Sequence, residues 1–191
     1  MPSTPRKAVC VYCGSRPGDD PAFAEAATTL GRGIAERGWQ LVYGAGDVGL
    51  MGAVARAVQA AGGETMGIIP EHLVSMEVGK RDLTAFVVTE TMHERKKVMF
   101  LNAHAVVALP GGPGTLDELF EVLTWRQLRL HAKPVVLVNH KGYWDPLVAL
   151  IDHVIERGFA SKSFRDFLTV VPDAGSALEY LGGALESQAA Q

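Results

Sequence analysis

Cysteine is scarce in this 191-residue chain: there are two, Cys10 and Cys13. A disulfide-stapled scaffold is thereby excluded. Their C-x-x-C spacing falls within Ala8-Val9-Cys10-Val11-Tyr12-Cys13, a strand pattern, and an odd separation on a strand turns two side chains to opposite faces. A redox or metal role would need a helix start or further ligands, so both are read as packing residues. Metal-ligand spacing is missing among the histidines too (His72, His93, His104, His131, His140 and His153), and no metal is expected. No apolar run is long enough to cross a bilayer. Met1 to Lys7 is not followed by the apolar core of a signal peptide, so the expected location is cytoplasmic, with no membrane partner. Surplus positive charge is absent as well. Lys and Arg number 18 against 21 Asp and Glu, a net charge of −3, which removes any bulk attraction to nucleic acid. There is no internal repeat or linker.

What the chain does have is the composition of a globular protein, 48% hydrophobic and 20% charged, and a length suited to one α/β domain. Short apolar runs at 8–13, 39–43, 65–69, 86–89, 105–109, 134–138 and 168–171 read as strands. Between them lie helical patterns, among them one opened by Asp20-Pro21 and stopped by Gly38, one opened by Asp145-Pro146, and one with the capping box Thr91-Met92-His93-Glu94. Strands apolar on both faces and alternating with helices predict a single Rossmann-like domain over 1–191, a doubly wound parallel sheet with helices on both faces. The segments 1–7 and 184–191 read as flexible tails. In such sheets ligands bind beyond the carboxyl ends of the strands. That puts the loops 14–18, 44–49, 70–80 and 110–115, and the helix start bearing Arg95, on one rim.

The stretch that organises the rest is Pro110-Gly111-Gly112-Pro113-Gly114-Thr115-Leu116-Asp117-Glu118, between a strand and a helix. Its glycines let backbone N–H groups approach an anion, and the helix start adds free N–H groups and a positive dipole end. A phosphate fits there; Glu118, which would repel it, should face the attached sugar. Thr115-x-x-Glu118 also fits a capping box that needs no ligand, but three glycines exceed what a cap requires. Without a following Gly-Lys-Ser/Thr it is not a Walker A loop. A second glycine loop, Gly44-Ala45-Gly46-Asp47-Val48-Gly49, has the G-x-G-x-x-G form, yet the next strand ends in Ile69-Pro70 with no acid for ribose, and Glu64 stands at its other end. It reads as a nucleotide or phosphate loop, or a tight turn, rather than an NAD site. Arg95 and Lys96 stand at a helix start, where dipole logic disfavours cations; their rim location favours ligand binding. Lys97 reads as an exposed face, and Trp125 and Trp144 as core or interface.

Pro110 to Glu118 fits P-G-G-x-G-T-x-x-E. Together with Met92-His93-Glu94-Arg95-Lys96, Cys13-Gly14-Ser15, Val42 to Gly52 and Gly67-Ile68-Ile69-Pro70, it resembles the Lonely Guy (LOG) family of cytokinin riboside 5′-monophosphate phosphoribohydrolases over residues 8 to 170. The resemblance implies a homodimer, without cofactor, that cleaves the N-glycosidic bond of a purine nucleoside 5′-monophosphate to free base and ribose 5-phosphate. It implies Arg95 and Glu118 as the catalytic pair. Substrate contacts would come from Glu77, Lys96, Gly111, Gly112, Pro113, Gly114, Thr115, Leu116, Asp117 and Thr124, with Gly14, Ser15, Gly44 and Gly46 on the same rim. Where the family's turn carries three glycines, this chain reads Gly44-Ala45-Gly46; the alanine methyl would restrict φ or crowd a ligand. The label of lysine decarboxylase borne by many such proteins needs a pyridoxal phosphate lysine and a pyridinium partner, and the sequence points to neither. A non-catalytic carrier on the same fold, like the molybdenum-cofactor carriers, is the alternative.

Overall fold

A computed structural model describes residues 6–74 and 82–189, with side chains to 187. Seven strands form one parallel sheet: β1 (Ala8–Tyr12), β2 (Gln40–Tyr43), β3 (Glu64–Pro70), β4 (Ala85–Thr89), β5 (Ala105–Ala108), β6 (Val135–Val138) and β7 (Thr169–Val171). Their order is β4-β3-β2-β1-β5-β6-β7. The winding therefore reverses between β1 and β5, which pair Val9 with Ala105 through Tyr12 with Ala108. The crevice at that reversal is where open α/β sheets take ligands.

Helices α1 (Pro21–Glu36), α2 (Gly49–Ala60) and α7 (Ala174–Ala189) cover one face. Helices α4 (Met92–Leu101), α5 (Pro113–Gln127) and α6 (Asp145–Glu156) cover the other; α3 (Glu71–Val74) is a single turn after β3. The strand period of two divides β1 cleanly. Val9, Val11 and Cys13 join Leu30, Ile34 and Val54 in one core, while Ala8, Cys10 and Tyr12 join Met99, Leu119 and Leu123 in the other. The two thiols thus lie on opposite faces, as their spacing predicts, and burial pushes both thiol pKa values up.

Helix ends follow local chemistry. Asp20 Oδ1 accepts from Ala22 N ahead of Pro21, and Thr91 and Glu94 complete a reciprocal capping box. Two expected bounds differ from the structure. The strand read at 65–69 runs from Glu64 through Pro70, which pairs opposite Thr89. The segment read as a tail from 184 is helical through Ala189, because Leu181 and Leu185 continue the buried stripe of α7.

Candidate active site

The loops after β1 and β5 meet at the winding reversal. Gly14 N donates to Pro110 O at 3.0 Å, and Leu50 N donates to Gly14 O at 3.0 Å, tying in the start of α2. At Gly111 a Cβ would collide with Thr115 Oγ1 and Gly14 N, so glycine is required there by close approach. Helix α5 begins at once: Gly112 is its N-cap and Pro113 its first residue. The capping-box alternative for Thr115-x-x-Glu118, set aside on the sequence because of the three glycines, is absent from the structure. Proline's fixed φ starts the helix at position 113, which places Thr115 inside the first turn, buried, with no side-chain cap. Among the described residues no acceptor meets the N–H groups of Gly112, Gly114 and Thr115, leaving the donors that an anion would take.

Two adjoining hollows share Gly14, Ser15, Gly112 and Pro113 as their neck. The larger, about 470 Å³, is walled by Phe23, Leu50, Tyr143 and Gly111 with Arg16 at its rim. The smaller, about 250 Å³, is lined by Arg95, Asp117 and Glu118, with Gly44, Gly114, Thr115 and the soft apolar side chains of Met51, Met92, Met99 and Leu73.

Arg95 is 5% exposed. Its Nε donates to Ile68 O at 3.1 Å and its Nη2 to Gly44 O at 2.7 Å, fixing the guanidinium at the carboxyl ends of β3 and β2. Among the described residues Nη1 has only the Met92 sulfur, at 3.8 Å. Among the described residues Arg95 forms no ion pair, and a buried cation without a partner favours a bound anion. Glu118 lies one turn into α5. Burial pushes its carboxyl up to about 7; the Arg95 charge offsets part of that, Asp117 adds to it and Lys96 opposes it. A carboxyl poised near neutrality in a cleft is suited to proton transfer or charge stabilisation.

The remaining expected residues fall elsewhere. Gly46 is buried beneath Met51 rather than lining the cleft. Lys96 turns away from it: Nζ bonds Asp117 Oδ2 at 3.0 Å and lies 3.3 Å from Glu121 Oε1. Desolvation lowers its pKa, but the hydrogen bonds to Asp117 and Glu121 outweigh that and hold it above the ordinary value. Leu116 packs against the α4–α5 core. Thr124 sits on the outer face of α5, bonded to Phe120 O. Glu77 lies outside the described residues. Ala45 adopts φ 60° and is fully buried. Its methyl abuts Gly67 and does not line the cleft, so the alanine takes the left-handed conformation without crowding a ligand.

Over residues 51–181 the chain matches the family model described as "Possible lysine decarboxylase". It is 46% identical to a probable cytokinin riboside 5′-monophosphate phosphoribohydrolase of Oryza sativa subsp. japonica, over 89% of this chain and 69% of that one. It is 42% identical to a cytokinin riboside 5′-monophosphate phosphoribohydrolase of Arabidopsis thaliana, over 91% of this chain and 81% of that one. The chain belongs to the LOG phosphoribohydrolase family. A molybdenum cofactor binding protein of Rippkaea orientalis superposes with a TM-score of 0.73, covering 96% of this chain and 99% of that one, at 21% identity, a likeness of fold alone. The decarboxylase description finds no lysine to carry it: among the described residues none lines the LOG cleft, and Lys96 is held by two acids beside it.

Sequence reading placed Arg16 on the rim with its loop and Met92 in a motif, but singled out neither, and it passed over Phe23, Tyr143, Met51 and Met99, which also line these hollows. Met51, Met92 and Met99 come from two helices, and only the packing of α2 and α4 over the rim brings them together. Among the described residues no three metal-ligating side chains gather, and no helix is long and apolar enough to cross a membrane.

Proposed function

We propose that the protein hydrolyses the N-glycosidic bond of adenosine 5′-monophosphate or an N6-modified form of it, giving the free base and ribose 5-phosphate. The observation that carries this reading is the pairing, in one cleft, of a carboxyl with pKa about 7 and a buried arginine that forms no ion pair among the described residues, beside the open N-terminus of α5. The phosphate takes the N–H groups of Gly112, Gly114 and Thr115. The ribose lies toward Glu118, and the base lies against Met51, Met92 and Met99, whose flexible side chains suit substituents of differing shape. As the bond to the base breaks, positive charge builds on the ribose. Ionised Glu118 stabilises that charge and orients or deprotonates the attacking water. Arg95, locked by two carbonyls, presents Nη1 to the phosphate or ribose oxygens.

Relatives 42–46% identical and named for this activity support the reading; the carrier alternative rests on fold alone. We place the reaction in the cytoplasm and in a homodimer. The support for the dimer is a row of exposed apolar residues on the α4–α5 face and just beyond it, Leu101, Phe120, Leu128 and Leu130. The test is base release from AMP and adenosine. AMP turns over and adenosine does not, because the α5 cradle holds only the nucleotide; equal kcat/KM on both rejects phosphate anchoring.

A further inference from the structure

Tyr143, in the wall of the larger hollow, is carried on a strap, residues 139–145, between β6 and α6. Asn139 ties its ends together: Oδ1 accepts from Trp144 N at 2.7 Å, and Nδ2 donates to Asp145 Oδ1 at 2.7 Å. Lys141, at φ 54°, reaches across to Asp20, the N-cap of α1, at 2.6 Å. The Tyr143 ring is held edge-on between Phe23, at 5.5 Å, and Trp144, at 4.7 Å. All this aims one atom: Tyr143 Oη donates to Gly111 O at 2.7 Å. No residue of the strap figured in the sequence reading of the site.

The carbonyl of Gly111 and the N–H of Gly112 belong to one planar trans peptide, so they point in opposite directions. Tyr143 lines the larger hollow and draws the carbonyl to that side. The Gly112 N–H therefore faces the other way, toward the cleft of Arg95 and Glu118, and it has no acceptor among the described residues. Gly111 and Gly112, lacking side chains, leave this peptide free to rotate unless something outside the loop holds it.

We propose that Tyr143 is a positioning residue of the phosphate cradle: its hydroxyl fixes the Gly111–Gly112 peptide so that the Gly112 N–H meets the 5′-phosphate. The proposal rests on the phosphate reading of the α5 N-terminus. The phenol acts through the Gly111 carbonyl, on the other side of that peptide from the Arg95 and Glu118 cleft, so its effect should follow the phosphate of whatever ligand is bound.

Tyr143→Phe removes the hydroxyl and keeps the ring packed on Phe23 and Trp144. Ribose 5-phosphate affinity, by calorimetry, falls about fivefold to tenfold, as expected for one hydrogen bond that organises a charged contact. KM for AMP rises by a similar factor, while kcat stays within about twofold and inhibition by free adenine is unchanged. Equal ribose 5-phosphate affinity in the two proteins overturns the proposal. So does an equal loss of adenine and ribose 5-phosphate affinity, which would mean general loosening. A defect in Tyr143→Leu with none in Tyr143→Phe also overturns it, since ring packing alone would then be the role. The calorimetry is independent of turnover: a wild type that binds ribose 5-phosphate but releases no base from AMP sinks the hydrolase reading and leaves Tyr143 still testable.

Discussion

Gly44 and Arg95 are fitted to each other: the Gly44 carbonyl accepts from Arg95 Nη2 at 2.7 Å, and a Cβ on Gly44 would occupy the space of that same guanidinium nitrogen. The glycine is thus required by the arginine rather than by backbone conformation, since its φ is not positive.

Gly44→Ala therefore tests the arginine without deleting it. The methyl displaces a guanidinium that β2 and β3 hold in place, and small misplacements of catalytic groups are costly. The expected result is a fall in kcat/KM for AMP of at least about tenfold, checked by base release beside a melting curve. A variant that melts lower yet keeps wild-type kcat/KM would confine Arg95 to a structural role.

The pH dependence follows from Glu118. Its carboxyl is raised to about 7 by burial, so its ionised form becomes dominant only above neutrality. If that form acts on water and on the ribosyl cation, kcat/KM for AMP rises through a limb centred near pH 7 and levels off above it, because kcat/KM reports the free enzyme. A limb near pH 4.5 would mean that Glu118 is not the group being titrated.

Glu118→Gln separates chemistry from folding. A carboxyl whose folded pKa is raised favours the native state when protonated and loses that stability as pH climbs from its unfolded value through about 7. Glutamine has no such charge to bury. The variant should match wild type in stability at pH 4 and exceed it by on the order of 2 kcal/mol at pH 8, while kcat for AMP drops about a hundredfold or more. Thermal melts at the two pH values with single-turnover base release check both halves. An active variant removes Glu118 from the mechanism.

The strand period alone separated Cys10 from Cys13, and the glycine motif located the crevice, because both are local patterns that the sheet preserves. That Thr115 lies inside the first turn of α5 rather than at a cap was not legible, because Gly112 and Pro113 set the helix start three residues before the position a capping box would need. Lys96 and Arg95 are neighbours in sequence but diverge by the helical turn, one toward the cleft and one toward Asp117 and Glu121. Tyr143 carries no signal of its own, because its meaning comes from a loop 32 residues away in sequence.

The divergence of Lys96 gives a further test. Its charge opposes the rise in the Glu118 pKa, and its departure would also leave Asp117 and Glu121 uncompensated beside that carboxyl. In Lys96→Met the acid limb of kcat/KM should move to higher pH by about half a unit or more. A direct contact between Lys96 and phosphate would instead raise KM for AMP and leave the limb in place. The pH–rate profile of the variant distinguishes the two.

The outer face of α5 tests the assembly. Phe120, Thr124 and Leu128 recur at four-residue spacing on one side of the helix, and Leu128 and Leu130 are 63% and 68% exposed in the lone chain. Apolar surface of this kind is a usual mark of a protein interface. Light scattering at micromolar concentration should give the mass of a dimer. Leu128→Asp should shift the chain toward monomer, because a buried, unpaired carboxylate at an interface costs several kcal/mol. The Arg95 and Glu118 cleft is not built from Leu128, so a Leu128→Asp monomer that retains full kcat/KM would show that one chain completes the site. A monomer with kcat/KM reduced at least about tenfold would mean that the partner supplies part of it. Wild-type protein that scatters as a monomer removes the dimer, and with it any reason to expect activity to depend on protein concentration.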